Sequence, residues 1–334
     1  MDLFELTRKL IDIPSVSGDE GAATQFLCHH LEGLGYIVET QSVAGERQNV
    51  IATTGAPPRV VLSTHTDTVP PYIASSEDAD FIHGRGACDA KGIIAAQIFA
   101  AEKVRAAGLN EIGLLFTVDE EQASLGARAA NDHPLAKESR FLINGEPTDN
   151  RLAIGTKGAL RVLLKTEGRA AHSAYPEQGE SAVEKLLDVL ASIRACVWPA
   201  DELFGETTCN IGIIDGGTRA NVIPAHASAD LLLRLATDKT QVKKILADAV
   251  AGRATLEYTS EHNPVRLRSV EGLKQCVVRF TTDIPYLSNW GAPLLIGPGS
   301  ILNAHTSHEK VSKSELVSAV ELYVKLVKEL TNTW

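Results

Sequence analysis

Two periods alternate along the first 150 residues. The opening MDLFELTRKLIDIPS repeats apolar positions every three or four residues, the spacing of an amphipathic helix. A second helix is expected from Ser17, an N-cap candidate with Glu20 three residues on, to the LEGLG stop at Gly35. Strand-like apolar runs follow at 36–40, 49–53 and 59–63. An Ala-rich helical stretch at 90–107 closes on Gly108, and a strand at 112–118, a short helix at 124–131 and a strand at 140–144 come next. Strands alternating with helices predict an α/β sheet with parallel portions.

The pattern changes near Gly155. Strands are expected at 159–166, 207–214, 226–235 and 253–260, with helices at 180–197 and 238–250. That β-α-β-β-α-β order is a self-sufficient ferredoxin-like unit. Apolar strand text returns at 292–297, and an amphipathic helix from Ser312 or Ser314 ends the chain. The expected architecture is an α/β protein of two domains. Residues 1–155 and 261–334 form one, and residues 156–260 form a smaller inserted one.

Composition narrows the class. With 334 residues and 44% hydrophobic content the chain can bury a large core. Its net charge of −10 and the lack of any basic run argue against nucleic acid as a partner. No stretch of about 18 apolar residues suggests a membrane span, and the N-terminus lacks the pattern of a signal peptide. Five scattered cysteines without a C-x-x-C fit reduced thiols, so a cytoplasmic protein is expected.

The chemistry gathers where apolar runs stop. His65 and Asp67 follow VVLST, Asp89 follows GRGAC, Glu120 and Glu121 follow FTVD, Glu146 follows FLING, and His305 follows a Gly/Pro turn. In an open α/β sheet the site lies outside the carboxyl ends of the strands. Imidazoles with carboxylates suit zinc or cobalt, and Asp67 can accept the second ring N–H of His65. Each residue also has an ordinary reading. Asp89 can be a helix N-cap, and Glu120–Glu121 a solvated turn. Neighbouring glutamates on an extended chain face opposite ways, so one can hold a cation while the other points at water. Spacing leaves His305 and His308 undecided.

Together the segments HTDTVP, GRGACDAKG, a strand plus EE, GEPT, GRAAHSAYPEQGESAV, TRANVIPAHASADLLLR and GPGSILNAH-x-x-x-E resemble the M20 family of metallopeptidases and amidohydrolases in order and over nearly the whole chain. The resemblance implies a two-domain fold, an α/β zinc-hydrolase catalytic domain with an inserted dimerisation or lid domain. It implies two divalent metal ions, zinc first and cobalt as the alternative. Asp89 would bridge them, His65 and Glu146 would complete one site, and Glu121 and His305 the other. Glu120 becomes the general base, and Asp67 supports His65. From the lid, His172 would stabilise the oxyanion of a neighbouring active site, and Asn221 and Arg234 would contact the substrate carboxylate or the oxyanion. The expected partner is a small N-acyl amino acid, and a homodimer through the inserted domain is expected. Deacetylation of an N-acetylated basic amino acid such as N-acetylornithine comes first. Succinyl-diaminopimelate desuccinylation is second, suggested by Thr281-Thr282-Asp283, and a di- or carboxypeptidase third. A catalytically silent metal-binding protein of the same fold is the remaining alternative.

Overall fold

A computed structural model describes residues 1–332. The chain divides into two compact units. One comprises Met1–Ile154, Leu267–Cys276 and the chain from Thr282 onward, and the other comprises Gly155–Arg266 with Val277–Thr281.

The first unit is built on a mixed sheet. Its strands run in the order Ile37–Ala44, Arg47–Thr53, Ile112–Thr117, Val60–His65, Phe141–Asn144, Ala292–Leu295 and Leu152–Thr156. Val60–His65 is parallel to both Ile112–Thr117 and Phe141–Asn144, which is in turn parallel to Ala292–Leu295. These four central strands therefore end on the same side. The runs are continuously apolar because both faces are covered. Alternate residues divide between the two cores: Val60, Leu62, Leu114 and Phe116 face the helices Leu3–Ile11, Gly21–Gly33, Lys91–Ala106 and Lys313–Asn332. Val61, Leu115 and Leu142 face a smaller cluster around Trp290 and the helix Leu125–Asn131. Gly145 follows Asn144 directly against the helix Lys91–Ala106. A Cβ there would lie 2.3 Å from Ile93 Cγ2 and 2.6 Å from Gln97 Nε2, so glycine is what lets the strand end approach the helix.

Two expected helix starts differ. The second helix is Gly21–Gly33, and Ser17 does not cap it. Ser17 instead donates its hydroxyl to Asp67 Oδ2 at 2.7 Å, and its N–H to the Thr68 carbonyl. The competing partner is a loop 50 residues on, which no local spacing could reveal. Asp89 likewise caps nothing: the following helix has Ala90 at its N-cap and no side-chain cap. Three short strands, Ser76–Glu77, Phe81–His83 and Lys310–Ser312, form a separate small sheet that the apolar pattern was too brief to predict.

The second unit has four antiparallel strands in the order Thr208–Gly216, His226–Leu235, Gly158–Glu167 and Thr255–His262, with helices Ala182–Arg194 and Lys239–Val250. Inward residues alternate along His226–Leu235, where Ala227, Ala229, Leu231, Leu233 and Leu235 are buried with Leu186, Val189 and Leu246. The connectivity is ferredoxin-like, and its strands fall within two residues of the expected bounds, with His226–Leu235 coinciding with them.

Candidate metal centre

The carboxyl ends of the central strands carry the site. His65 is the last residue of its strand and pairs with Thr117, the last of the neighbouring one. Beyond Thr117 the chain turns at Asp119, whose φ is +69°, and presents Glu120 and Glu121. They lie in this turn, not on an extended chain, so the alternation argument for separating them fails. What separates them is His305, which contacts the Glu121 carboxylate, while Asp67 holds the backbone of both. Asp67 accepts the backbone N–H of Glu120 at 3.0 Å on Oδ1 and that of Glu121 at 3.2 Å on Oδ2. Arg47 donates to Asp119 at 2.6 Å and to the buried Glu20 at 2.5 Å, holding the turn from the other side.

Asp89 stands between the two histidines. His65 Nε2 lies 3.0 Å from Asp89 Oδ1, and His305 Nε2 lies 3.4 Å from Asp89 Oδ2 and 2.9 Å from Glu121 Oε1. His65, Asp89 and Glu121 offer ligand atoms that all lie within 4.8 Å of one another. His65 Nδ1 donates to the Asp67 carbonyl at 2.9 Å, closer than the Asp67 carboxylate at 3.5 Å. The backbone therefore does more than the carboxylate to fix this ring, leaving Nε2 for a cation. His305 adopts a left-handed conformation, φ +63°, sparsely used by non-glycine residues. His308 is exposed beside Ser307 and joins none of these groups.

The electrostatics ask for positive charge. Burial and the Glu146 carboxylate raise Glu120 well above the usual carboxylate range, and burial with Asp89 does the same to Glu146. Asp89 is depressed, because the contacts of His305 and His65 outweigh its burial. Hydrogen bonds that His305 donates to the Asp89 and Glu121 carboxylates push its pKa up to about 10. Glu146 Oε1 and Asp283 Oδ1 are buried without a hydrogen-bond partner. A buried carboxylate oxygen lacking a donor is costly. Divalent cations held by Asp89, His65, Glu146, Glu121 and His305 would satisfy it and offset the excess of carboxylates. The donor set of imidazole nitrogens and carboxylate oxygens fits such ions.

With this geometry in view, relatives settle the family. The model of peptidase family M20/M25/M40 matches residues 61–329. The chain belongs to this family. A peptidase M20 domain-containing protein of Schizosaccharomyces pombe is 35% identical over 98% of the chain and 84% of the relative. A probable carboxypeptidase of Aspergillus terreus is 37% identical over 96% of the chain and 84% of the relative. A tripeptidase from Staphylococcus aureus has the same fold, with a TM-score of 0.83 at 19% identity, covering 99% of this chain and 98% of that one. The protein is thus an M20-family hydrolase. Among the described residues no helix is long and apolar enough to cross a membrane.

The second unit of this M20 chain brings together two of its three expected residues. His172 pairs with Val222 in an isolated bridge, and the N–H of Ser173 donates to the Asn221 carbonyl at 3.1 Å. Both His172 and Asn221 are exposed. The N–H of Ala174 donates to His172 Nδ1 at 3.1 Å, so the neutral ring carries its proton on Nε2. Arg234 does not join them. It lies near the far end of the strand His226–Leu235, opposite Ala159, eight residues or roughly 26 Å from His226. It is partly buried, and desolvation lowers its pKa.

Several supporting residues carry no local sequence signal for the part they play here. Ser17, Arg47 and Arg85 act on partners far away in the chain. Thr282 and Asp283 are buried: the Thr282 hydroxyl accepts the N–H of Ile284, and Asp283 Oδ2 accepts the hydroxyl of Thr117 at 2.8 Å. Burial pushes Asp283 up to about 6. Its charge in turn acts on Glu120 and Glu146, so this stretch lies beside the carboxylate cluster.

Proposed function

We propose that the protein is a two-metal carboxypeptidase, hydrolysing the amide that joins a C-terminal residue to a peptide. The observation that carries this reading is the near full-length similarity to probable carboxypeptidases, exemplified by the Aspergillus terreus relative. It displaces the N-acetylated amino acid as first choice. The chemistry shifts little. In both substrates the leaving amine bears a free α-carboxylate, and only the acyl side differs, acetyl in one and peptidyl in the other.

Asp89, His65 and Glu146 would hold one divalent ion, and Asp89, Glu121 and His305 the other, with zinc the first choice. When bound, such ions supply Lewis-acid polarisation of the substrate carbonyl and of water. Glu120, held by Asp67 but making no contact with His305, takes the proton of the attacking water and passes it to the leaving amine. His172 Nε2–H stabilises the oxyanion. Asn221, on the same pair of loops, is proposed to orient the substrate carboxylate, and Arg234, at the opposite end of its strand, could share that role only in an active site that Asn221 reaches from a second copy.

The test is amine release, with zinc or cobalt added, from N-blocked dipeptides, free dipeptides, N-acetylornithine and N-succinyl-diaminopimelate. The carboxypeptidase reading expects the highest kcat/KM on a blocked dipeptide. A higher value for N-acetylornithine restores the deacetylase.

We also propose a homodimer through the second unit. Its edge strand Thr208–Gly216 has one neighbour, and Ile213 and Ile214 are 59% and 55% exposed on it. An unprotected apolar edge favours pairing with a second copy. Light scattering that returns a monomer overturns this.

A further inference from the structure

Glu309 has no place in the chemistry above, yet it is 1% exposed and surrounded by donors. Its Oε1 accepts the backbone N–H groups of Gly86 at 3.0 Å, Asp89 at 3.2 Å and Cys88 at 3.3 Å. Its Oε2 accepts from Arg85 Nη1 at 2.6 Å, and its own carbonyl accepts the N–H of Gly84. Arg85 is itself buried. Its Nε donates to the Pro71 carbonyl and its backbone N–H to Ile73, tying in the loop that follows His65 and Asp67. One carboxylate thus gathers a loop ending in Asp89 and lies four residues from His305, across more than 200 positions of sequence.

The burial of this ion pair is expensive. Two charges removed from water are weak grounds for stability, since apolar residues of like volume often serve as well. What an apolar residue could not do is accept three convergent N–H groups and so orient the peptide that carries the Asp89 side chain. Nor could it aim the charge of Arg85. The neighbouring turn is shaped to the same end. Gly299, at φ +83°, brings its backbone against Cys88, where a Cβ would stand 2.5 Å from Cys88 Cβ.

We propose that Glu309 is a positioning residue that sets the affinity of one of the two metal positions more than the other. The inference rests on the ligand assignment made under the proposed function. The position formed by Asp89, Glu121 and His305 draws two of its three ligands from segments that Glu309 anchors. The position formed by His65, Asp89 and Glu146 draws one, since Glu309 reaches the loop after His65 only through Arg85. Loosening the anchor therefore weakens the His305 side first. Residues that orient ligands in this way typically govern about 10–100-fold in metal affinity.

The experiment titrates cobalt(II) into metal-free wild type, Glu309→Gln and Glu309→Asp, followed by visible absorption and calorimetry. Glu309→Gln keeps the size but loses the charge, and Glu309→Asp keeps the charge. The expected result is two cobalt ions in the wild type. In Glu309→Gln one of the two ions loses at least about tenfold in affinity while the other changes by less than about threefold. Glu309→Asp is expected to recover part of that loss, and it carries the comparison if Glu309→Gln does not fold. Equal loss at both positions, or no change, overturns the proposal. So does failure of both variants to fold, which makes Glu309 a purely structural residue. A wild type that binds no metal pair would instead sink the ligand assignment, a distinguishable result.

Discussion

Asp67 Oδ1 accepts the backbone N–H of Glu120 at 3.0 Å. Its other oxygen takes Glu121 N–H and the Ser17 hydroxyl, so both oxygens of a wholly buried carboxylate are engaged. The contacts keep Asp67 ionised, its pKa lowered by His65, Ser17 and Glu120 against the effect of burial. Replacing one oxygen by an amide sets a donor against a donor. Asp67→Asn is therefore expected to lower kcat or metal affinity by about 10–100-fold. Steady-state kinetics at saturating zinc, beside metal analysis, checks it. Both quantities staying within about threefold of wild type would show that the glutamate turn needs no such anchor.

Glu120 and Glu121 have opposite expected phenotypes. Glu121 touches His305 and faces Asp89, whereas the strongest influences on Glu120 after burial are Glu146 and His65. Glu120→Gln is expected to keep two metal ions and lose about 10²–10⁴-fold in kcat, the usual worth of a general acid or base. Glu121→Gln is expected to lose metal. Metal content measured with single-turnover rates separates the two. Near-normal turnover in Glu120→Gln would remove it from the reaction.

Much of this candidate site is legible because its proposed ligands sit where apolar strands stop, and strands are the parts of a sequence that periodicity reads best. His65, Glu146 and the glutamate pair needed only the knowledge that the central strands share a direction. Asp89 and His305 were harder. Their strands do not lead to them directly, and only the order of seven segments placed them. The supports were not legible. Ser17, Arg47, Arg85 and Asp283 find partners at separations no local pattern encodes. The Ser17 case misled, since a serine before a helix reads as a cap until its distant acceptor is known. Substrate choice was least legible, because acetyl and peptidyl groups leave the same amine and differ only on the side that no motif describes.

Removing metal should make stability fall with rising pH. In the metal-free fold Glu120 and Glu146 are raised well above the ordinary carboxyl value, and His305 is pushed up to about 10. Each group holds its proton more tightly folded than unfolded. Its stabilisation is complete below the unfolded pKa, about 4.3 for Glu and 6.5 for His, and is lost as pH rises through the folded value. Asp89 acts in the opposite sense, but its depressed pKa confines that effect to acid solution. The apoprotein is thus expected to have a Tm that declines between about pH 5 and pH 10, and zinc should flatten the curve by replacing those protons. Calorimetric scans with and without chelator test this. An apoprotein Tm that is flat or rises over that range contradicts the charge arrangement.

The tautomer of His172 gives the last prediction. Because Ala174 N–H donates to Nδ1, the neutral ring presents Nε2–H outward, the form needed to stabilise an oxyanion. His172→Ala is expected to lower kcat by about 10²–10³-fold, the loss typical of a single oxyanion donor, with both metals retained. His172→Gln, which keeps an N–H donor, should recover part of the loss. Fewer metal ions in His172→Ala would make the residue a ligand, and unchanged kcat with raised KM would make it a substrate-binding group that acts equally on ground and transition states.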